Sequence, residues 1–343
     1  MTRHQFIRRI TPQLIILGVV LALNALVFHD FFKIEFQNGR LFGNVIDVLN
    51  RGAPTALLCV GMTLVIATKG IDLSVGAIMA IAGATAASLI VDGHNWVSAL
   101  MGALAVGALC GIWNGFLVAF LRIQPIVATL VLMVAGRGIA QLITEGTILT
   151  FLDEGLIHLG AGTVLGIPTP VLIWLFLGGA VAFFVRRTAL GMLIESIGIN
   201  EASSRLAGIN SRVLLLCVYV VSGIGAAVAG VIVAADIQGA DANNAGLWLE
   251  LDAILAVVIG GNSLLGGRFS IVASLLGAMI IQSVNSVILL SGMPPEFNLV
   301  IKALLILAIL VIQSPKVGHL IYILRASAPP PVVKQATPVK DVN

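Results

Sequence analysis

Hydrophobic positions fall into long runs along the chain, and short polar connectors separate these runs. The first run covers 12–28 and follows the basic residues Arg3, Arg8 and Arg9. The later runs cover 53–68, 73–91, 97–121, 126–144, 170–185, 213–235, 251–260, 270–290 and 299–313. A helix needs about 20 apolar residues to cross a bilayer, and flanking residues complete the shorter runs. The pattern predicts an all-α polytopic membrane protein with about ten transmembrane helices.

The composition supports this fold class and limits the partners. Hydrophobic residues make up 59% of the 343 residues and charged residues 10%, whereas charged residues make up about 25% of a soluble domain. The formal net charge is only +3, so we expect a lipid bilayer around the chain and no nucleic-acid partner. The three cysteines lie within apolar runs without metal-ligand spacing, so we expect no metal site.

Basic residues gather on one side of the predicted helices. If the N-terminus is cytoplasmic, the outer connectors contain only Lys33 and Arg40 as basic residues, and most acidic residues lie outside. This distribution follows the positive-inside rule and predicts that both termini are cytoplasmic. We therefore divide the chain into a cytoplasmic segment at 1–11, a transmembrane domain at 12–325 and a disordered cytoplasmic tail at 326–343, which contains three consecutive prolines.

The two halves of the chain show the same order of features. In the first half an apolar run leads through the letters GIDLSVG to a run rich in alanine and glycine, and in the second half the connector reads GGNSLLGGRFS. Later in each half a proline turn, at 124–125 or 294–295, precedes another run. The shared order predicts two related halves around a translocation path. The alternative is that glycine-rich helices look alike by chance.

The connector at 186–212 is the longest basic one and is predicted to be cytoplasmic. Asn200 is a good N-cap for a short helix over 201–207, and Gly208 can end that helix in the left-handed conformation. A short helix across the membrane face would give another protein a contact surface. The alternative is a solvated basic loop that only fixes the orientation of the chain.

The GIDLSVG connector is predicted at the cytoplasmic end of a helical hairpin. Asp72 and Ser74 can cap the helix that begins there, between Gly70 and Gly76, because backbone N–H groups need partners that lipid does not supply. A gate or a contact with a partner protein is the alternative role.

Several polar or charged residues interrupt the apolar runs, and a charge at mid-bilayer costs about 2.5–3.5 kcal/mol, so such residues usually face protein or water. These residues are Arg51, Asn114, Arg137, Gln141, Asp252, Gln282, Asn285 and Lys302. Arg137 and Gln141 share a helix face, one turn apart, and with Asn114, Gln282 and Asn285 they are the candidates for lining a path. The alternative is that Arg137 only ties two helices together.

Two further segments bear on binding chemistry. The letters GNSLLGGR at 261–268 faintly resemble a phosphate loop, but they lack the Gly-Lys-Ser/Thr ending, so we expect no ATP site of this kind. The outer segment at 235–250 is rich in Asp, Asn and Gln and contains Trp248. Its side chains could bind sugar hydroxyls, or the segment could form a docking surface or an ordered mouth.

The connector GIDLSVG, the loop GINEASSRLAGIN and the stretch DAILAVVIGGNSLLGG resemble the permease subunits of ribose-type ABC sugar importers. The resemblance extends over essentially the whole chain. Within that family, the stretches GRLFGNVIDVLNRGAPTALL and ADIQGADANNAGLWLELDAILAVVIGG are most similar to permeases of galactofuranose importers. The chain departs from the family at Ser203 and Ser204, where members commonly have two alanines.

The resemblance implies a permease of the bacterial inner membrane that works with a second permease, cytoplasmic ATP-binding subunits and a periplasmic sugar-binding protein. ATP and Mg²⁺ would bind to the partner ATPase, and the chain itself would hold no cofactor and no catalytic residue. It also implies a coupling helix that docks into the ATPase, formed by Asn200, Glu201, Ala202, Ser203, Ser204, Arg205 and Gly208.

Two other function classes remain as alternatives. An ion-coupled secondary transporter with internal repeats would need acidic or histidine residues deep in several spans, and the sequence places its five histidines in or beside loops. An intramembrane enzyme would need a nucleophile facing a base, and the sequence indicates no such pair. The sequence alone does not identify the sugar.

Overall fold

A computed structural model describes residues 3–37, 39–292, 294 and 296–313, and the chain is mostly helical with a few short strands. The tail predicted at 326–343 lies outside the described residues. The helices are α1 Arg3–Val27, α2 Asn44–Arg51, α3 Ala53–Ala67, α4 Val75–Val91, α5 Trp96–Ala119, α6 Pro125–Ile143, α7 Glu154–Ala161, α8 Thr169–Arg187, α9 Leu190–Ile199, α10 Glu201–Leu206, α11 Ser211–Asp236, α12 Leu249–Ile259, α13 Ile271–Leu290 and α14 Glu296–Gln313.

Three two-stranded antiparallel pairs lie in the connectors. They join β1 Glu35–Gln37 to β2 Arg40–Phe42, β3 Leu149–Thr150 to β6 Gly239–Ala240, and β4 Thr163–Val164 to β5 Ile167–Pro168. The pair β3–β6 brings together two connectors that lie far apart in sequence. The first 294 residues form one compact unit, and α14 belongs to a second unit at 295–343.

The predicted apolar runs correspond to helices, but their lengths differ widely. Six helices in the described part of the chain are long and apolar enough to cross a membrane, and a seventh span results if α2 and α3, bent by 44°, are taken together. Helix α4 has 17 residues and α12 has 11, which is shorter than a crossing needs. Length and composition therefore support a polytopic membrane protein and do not by themselves give ten spans.

Helix α11 is the centre of the first unit, where it packs against α3, α4 and α5. Small residues permit this packing, because Gly107 and Gly111 of α5 face Gly223 and Tyr219 of α11 so closely that an added Cβ would overlap the partner backbone. The glycine spacing on α5 is of the kind that lets two helices approach closely in a membrane. The core around α11 thus depends on backbone approach more than on large side chains.

Candidate functional site

The connector between α3 and α4 lies inside the helix bundle. Asp72 and Ser74 are fully buried, and the amide of Leu73 donates a 3.2 Å hydrogen bond to the Thr129 hydroxyl on α6. The segment joins α3 to α4, and its place at the cytoplasmic end of this helical hairpin stays a prediction. The connector folds back between α5, α6 and α11 because its polar groups find hydrogen-bond partners there.

Asp72 is the centre of a buried polar cluster formed with Ser74, Asn114 and Ser222. One carboxylate oxygen of Asp72 accepts hydrogen bonds from the Ser74 amide at 3.1 Å and the Ser74 hydroxyl at 2.6 Å. The other accepts from the Ser222 hydroxyl at 2.8 Å, near the middle of α11. Asn114 on α5 donates to the Ser74 hydroxyl at 2.8 Å. The cluster joins the start of α4 to two neighbouring helices.

The capping prediction for this connector is confirmed only in part. Asp72 binds the backbone N–H of Ser74 at the start of α4, as expected. Ser74 occupies the N-cap position, but its side chain makes no capping hydrogen bond to the helix, since its hydroxyl donates to Asp72 instead. At Gly76 an added Cβ would overlap the backbone of Gly246, so α4 begins in close contact with the outer segment.

The connector between α12 and α13 has a comparable arrangement. Asn262 is 2% exposed, and its side-chain oxygen accepts a 2.7 Å hydrogen bond from the amide of Ser270, the N-cap of α13. Its amide group donates to the Ser274 hydroxyl at 2.8 Å. Ser274 in turn accepts a 2.7 Å bond from Thr63 on α3. The segment that faintly resembles a phosphate loop therefore uses its asparagine for internal hydrogen bonds.

The two connectors meet at a backbone junction formed by Ala67, Gly198 and Gly267. The amide of Gly267 donates a 2.9 Å hydrogen bond to the carbonyl of Ala67. Gly198, near the end of α9, lies so close that an added Cβ would overlap the Ala67 carbonyl oxygen. Lys69 also donates from its Nζ to the carbonyl of Ile199 at 3.0 Å. The end of α9 is thus held against both connectors.

The short helix predicted within the loop at 186–212 is present as α10, over Glu201–Leu206. The Asn200 side chain accepts a 3.0 Å hydrogen bond from the Ser203 amide, and Gly208 has the left-handed φ of 86° expected of a helix stop. Ser204 is buried, whereas Ala202, Ser203 and Leu206 are exposed.

Polar contacts brace α10 against the start of α11. Glu201 forms an ion pair with Arg205 and accepts a 3.0 Å hydrogen bond from the Ser211 hydroxyl. Partial burial raises the pKa of Glu201, but the hydrogen bonds from Arg205 and Ser211 outweigh burial and bring the pKa below its ordinary value. Glu201 is thus held as a carboxylate at neutral pH. Helix α10 presents a short exposed surface that ends at the apolar residue Leu206.

Arg137 and Gln141 on α6 both contact the outer segment at 235–250. Arg137 donates to the carbonyl of Ala245, and Gln141 donates to the side-chain oxygen of Asn243 at 2.7 Å. Both contacts link α6 to the outer segment.

Asp241 organises part of the outer segment through hydrogen bonds to its neighbours. Asp241 accepts hydrogen bonds from the amides of Asn243 and Asn244 and from the Asn244 side chain, at 3.0, 3.1 and 2.7 Å. Trp248 is 52% exposed. These hydrogen bonds order residues 241–244 of the segment.

The five path candidates fall into three separate groups. Asn114 joins the Asp72 cluster, Arg137 and Gln141 bind the outer segment, and Asn285 donates to Gln282 on α13 at 3.4 Å. Of the other polar residues in the runs, Arg51 is exposed at the end of α2, Asp252 is buried in the first turn of α12, and Lys302 lies on α14.

Sequence reasoning missed Ser222, Asn262, Gly198 and Tyr219. A single serine in an apolar run is ordinary, so nothing in the sequence around Ser222 predicts a hydrogen bond to Asp72. Asn262 was noticed only as part of a weak motif, although an asparagine between two apolar runs could have suggested a buried hydrogen-bonding role. In the described part of the chain, no group of three or more His, Cys, Asp or Glu side chains could hold a metal ion.

Comparison with known proteins gives consistent matches over most of the chain. Residues 44–310 match a family described as the permease component of branched-chain amino acid transport systems. The galactofuranose transporter permease protein of Escherichia coli (strain K12) is 58% identical over 90% of this chain and 91% of its own length. The fructose import permease protein of Bifidobacterium longum (strain NCC 2705) is 41% identical over 89% and 88%, and the ribose import permease protein of Escherichia coli (strain K12) is 38% identical over 88% and 93%.

Proposed function

This chain belongs to the family of permease components described for branched-chain amino acid transport systems, and on that premise we propose that it is the membrane subunit of an ATP-driven importer of a monosaccharide. The observation that carries the proposal is the 58% identity, over nearly the full length, to a galactofuranose permease. Relatives at 41% and 38% identity are permeases for fructose and ribose. We propose galactofuranose, or another sugar of the ribose and galactose type, as the cargo.

The partners follow from this assignment. The importer would contain two permeases, identical or homologous, two cytoplasmic ATP-binding subunits that hold ATP and Mg²⁺, and a periplasmic sugar-binding protein. The chain would lie in the bacterial inner membrane with both termini in the cytoplasm, as the distribution of its basic residues suggests. It would form the path and carry no catalytic residue.

We propose ten spans, including α4 and α12. Both helices are too short to cross alone, but the connector before α4 is mostly buried in the bundle, and the connector after α12 has the buried side chain of Asn262. Non-helical backbone is tolerated at membrane depth where protein surrounds it and satisfies its polar groups. The Asp72 and Asn262 hydrogen bonds supply such partners.

The contacts suggest how ATP hydrolysis reaches the path. Helix α10 would dock on the ATPase and move with it. Gly198 and Ile199 at the end of α9 contact Ala67 and Lys69. That motion would therefore reach the first connector, between α3 and α4, directly. It would reach the second connector, between α12 and α13, through Gly267. The start of α4 would then shift against α5 and α11, and the path would open to the other side.

An ion-coupled transporter is the second candidate, because three carboxylates lie buried in the bundle. Asp72, Asp252 and Glu250 are 0%, 4% and 8% exposed. Such residues in a membrane protein are functional candidates by default. The family assignment weighs against this candidate.

Reconstitution in liposomes separates the two candidates. We expect uptake of labelled galactofuranose only when the chain is combined with its ATPase, its sugar-binding protein and internal ATP. Uptake by the chain alone, driven by a sodium or proton gradient, would overturn the importer assignment.

A further inference from the structure

A cavity of about 340 Å³ lies beside α10, and the proposed transport cycle assigns no ligand to it. The connector after α3, the turn between α5 and α6, helix α10 and helix α11 enclose it. Its volume falls within the range of small-molecule sites. The groups that define its chemistry are Lys69, Arg122, Glu201, Arg205, Leu215 and Tyr219.

The charged groups of this cavity leave an excess of positive charge. Lys69, Arg122 and Arg205 are cationic, and Glu201 is the one carboxylate among the residues that line it. Glu201 pairs with Arg205, so Lys69 and Arg122 supply two positive charges that this carboxylate does not balance. Lys69 uses one N–H on the Ile199 carbonyl, and an ammonium group has three. The cavity therefore suits a doubly charged anion.

Tyr219 is among the residues that line the cavity. The side chain is fully buried, and its hydroxyl makes no hydrogen bond within the described part of the chain. A buried hydroxyl without a partner is destabilising. Gly70 lies against it, and an added Cβ at Gly70 would come within 2.7 Å of the Tyr219 oxygen, so glycine keeps this space open.

Lys69 and Arg122 also have an unusual backbone conformation. Their φ angles are 65° and 55°, in the left-handed region where glycine or asparagine usually ends a helix. A bulky cationic residue is a poor choice for that conformation alone.

We propose that this cavity binds a soluble phosphate monoester of about the size of a hexose phosphate. A monoester carries a charge of about −1.5 to −2 at neutral pH, which matches the excess charge of Lys69 and Arg122. The Tyr219 hydroxyl would donate to a ligand oxygen, and Leu215 would contact the carbon skeleton. A bound ligand would restrain α10 against the first connector, since both form its walls.

The test is a binding measurement on the purified full-length chain in phosphate-free detergent, and it needs neither the ATPase nor the transport assay. Isothermal titration would compare a hexose 6-phosphate, inorganic phosphate, the free hexose and glycerophosphoglycerol, a diester that stands for a lipid headgroup. We expect saturable binding of the hexose phosphate, no binding of the free hexose, and binding of the diester at least about tenfold weaker because it carries a single charge. Equal binding of the diester would overturn the proposal in favour of lipid.

Single substitutions test whether the hexose phosphate binds in this cavity. Lys69→Gln and Arg122→Gln should each weaken hexose phosphate binding about tenfold or more, because each loses a charge-assisted hydrogen bond. Arg187→Gln is the matched control, since Arg187 lies at the end of α8 over the Phe183 ring and outside the cavity. Equal losses in all three variants, or none, would overturn the assignment.

Tyr219→Phe keeps the test decisive if a charge variant fails to fold. The Tyr219 hydroxyl has no partner in the described part of the chain, so its removal should leave the melting temperature of the empty protein unchanged or higher. Hexose phosphate binding should nevertheless weaken severalfold. Unchanged affinity in a folded Tyr219→Phe protein would show that the ligand does not reach this cavity.

Discussion

The amide of Gly267 donates to the carbonyl of Ala67 at 2.9 Å, and this bond joins the connector of the first half to that of the second. Gly198 closes the same junction from α9. Three segments that are distant in sequence therefore meet directly through the backbone atoms of Ala67, Gly198 and Gly267. Because α9 contacts the connectors directly, we expect a displacement of α9 to displace the connectors as well.

Gly198→Ala should damage this junction. The added Cβ would overlap the Ala67 carbonyl oxygen, and overpacking of a close-packed site costs about 1–3 kcal/mol. We expect a lower melting temperature and a loss of ATP-driven uptake. Gly179→Ala on α8 is the control, because a Cβ there meets nothing within 4 Å. Normal uptake by Gly198→Ala would contradict the proposed transmission of motion.

Leu206→Glu should disrupt the proposed contact of α10 with the ATPase. Leu206 is 91% exposed, so the change costs the isolated chain little packing but would place a charge in an apolar contact. We expect the ATPase subunit to stop co-purifying with the permease. Leu165→Glu, at a residue that is 96% exposed in the turn between β4 and β5, should leave the complex intact. Retention of the ATPase by the Leu206 variant would argue against the docking surface.

Asp72→Ala should destabilise the bundle more than Asp72→Asn. Alanine leaves the Ser74 amide, the Ser74 hydroxyl and the Ser222 hydroxyl without their acceptor, and each unsatisfied buried group costs about 1–3 kcal/mol. Asparagine keeps one oxygen for Ser74 and can donate to Ser222. Thermal unfolding in detergent measures the difference. If both variants melt alike, the hydrogen bonds of the cluster contribute little.

Arg137→Gln tests whether Arg137 is a structural tie or part of the path. Its hydrogen bond to the Ala245 carbonyl leads us to expect a lower folding yield and melting temperature. Normal yield combined with reduced uptake would instead place Arg137 in the path.

Gln141→Cys tests independently whether the face of α6 that holds Arg137 and Gln141 lines the path. Gln141 is exposed, so a water-soluble thiol reagent should label it if this face lines the path. The background chain must lack Cys217, which is also exposed. Absence of labelling with and without ATP would remove this face from the path.

The order of α10 should depend on pH through Glu201. Its folded-state pKa is lowered by hydrogen bonds from Arg205 and Ser211, against the opposing effect of burial. A group of this kind stabilises the folded state above its unfolded pKa, and the stabilisation is lost as the pH falls through the folded pKa. We expect a spin label at Ala202 to be restrained at neutral pH and to become mobile below the ordinary glutamate pKa. Glu201→Gln should remove the pH dependence.

The sequence predicts the helices well, because an apolar run of this length can form few structures other than a helix. It also predicts α10, since Asn200 and Gly208 act locally. Helices α2 and α9 were not predicted, because each is short and lies beside a longer apolar run. The buried course of the first connector could not be read from local pattern either, since Asp72 is satisfied by Ser222, 150 residues further along.

The junction between the connectors also sets an order of events during synthesis. Gly267 is made 200 residues after Ala67, which takes about 10–40 s at 5–20 residues per second. During that interval the Ala67 carbonyl lacks the Gly267 amide, and until Ser222 is made the Asp72 carboxylate has only Ser74 as a hydrogen-bond donor. The first half of the chain therefore cannot form all of its native contacts until the later helices are made. Until then, the insertion machinery or transient contacts must protect its unpaired polar groups.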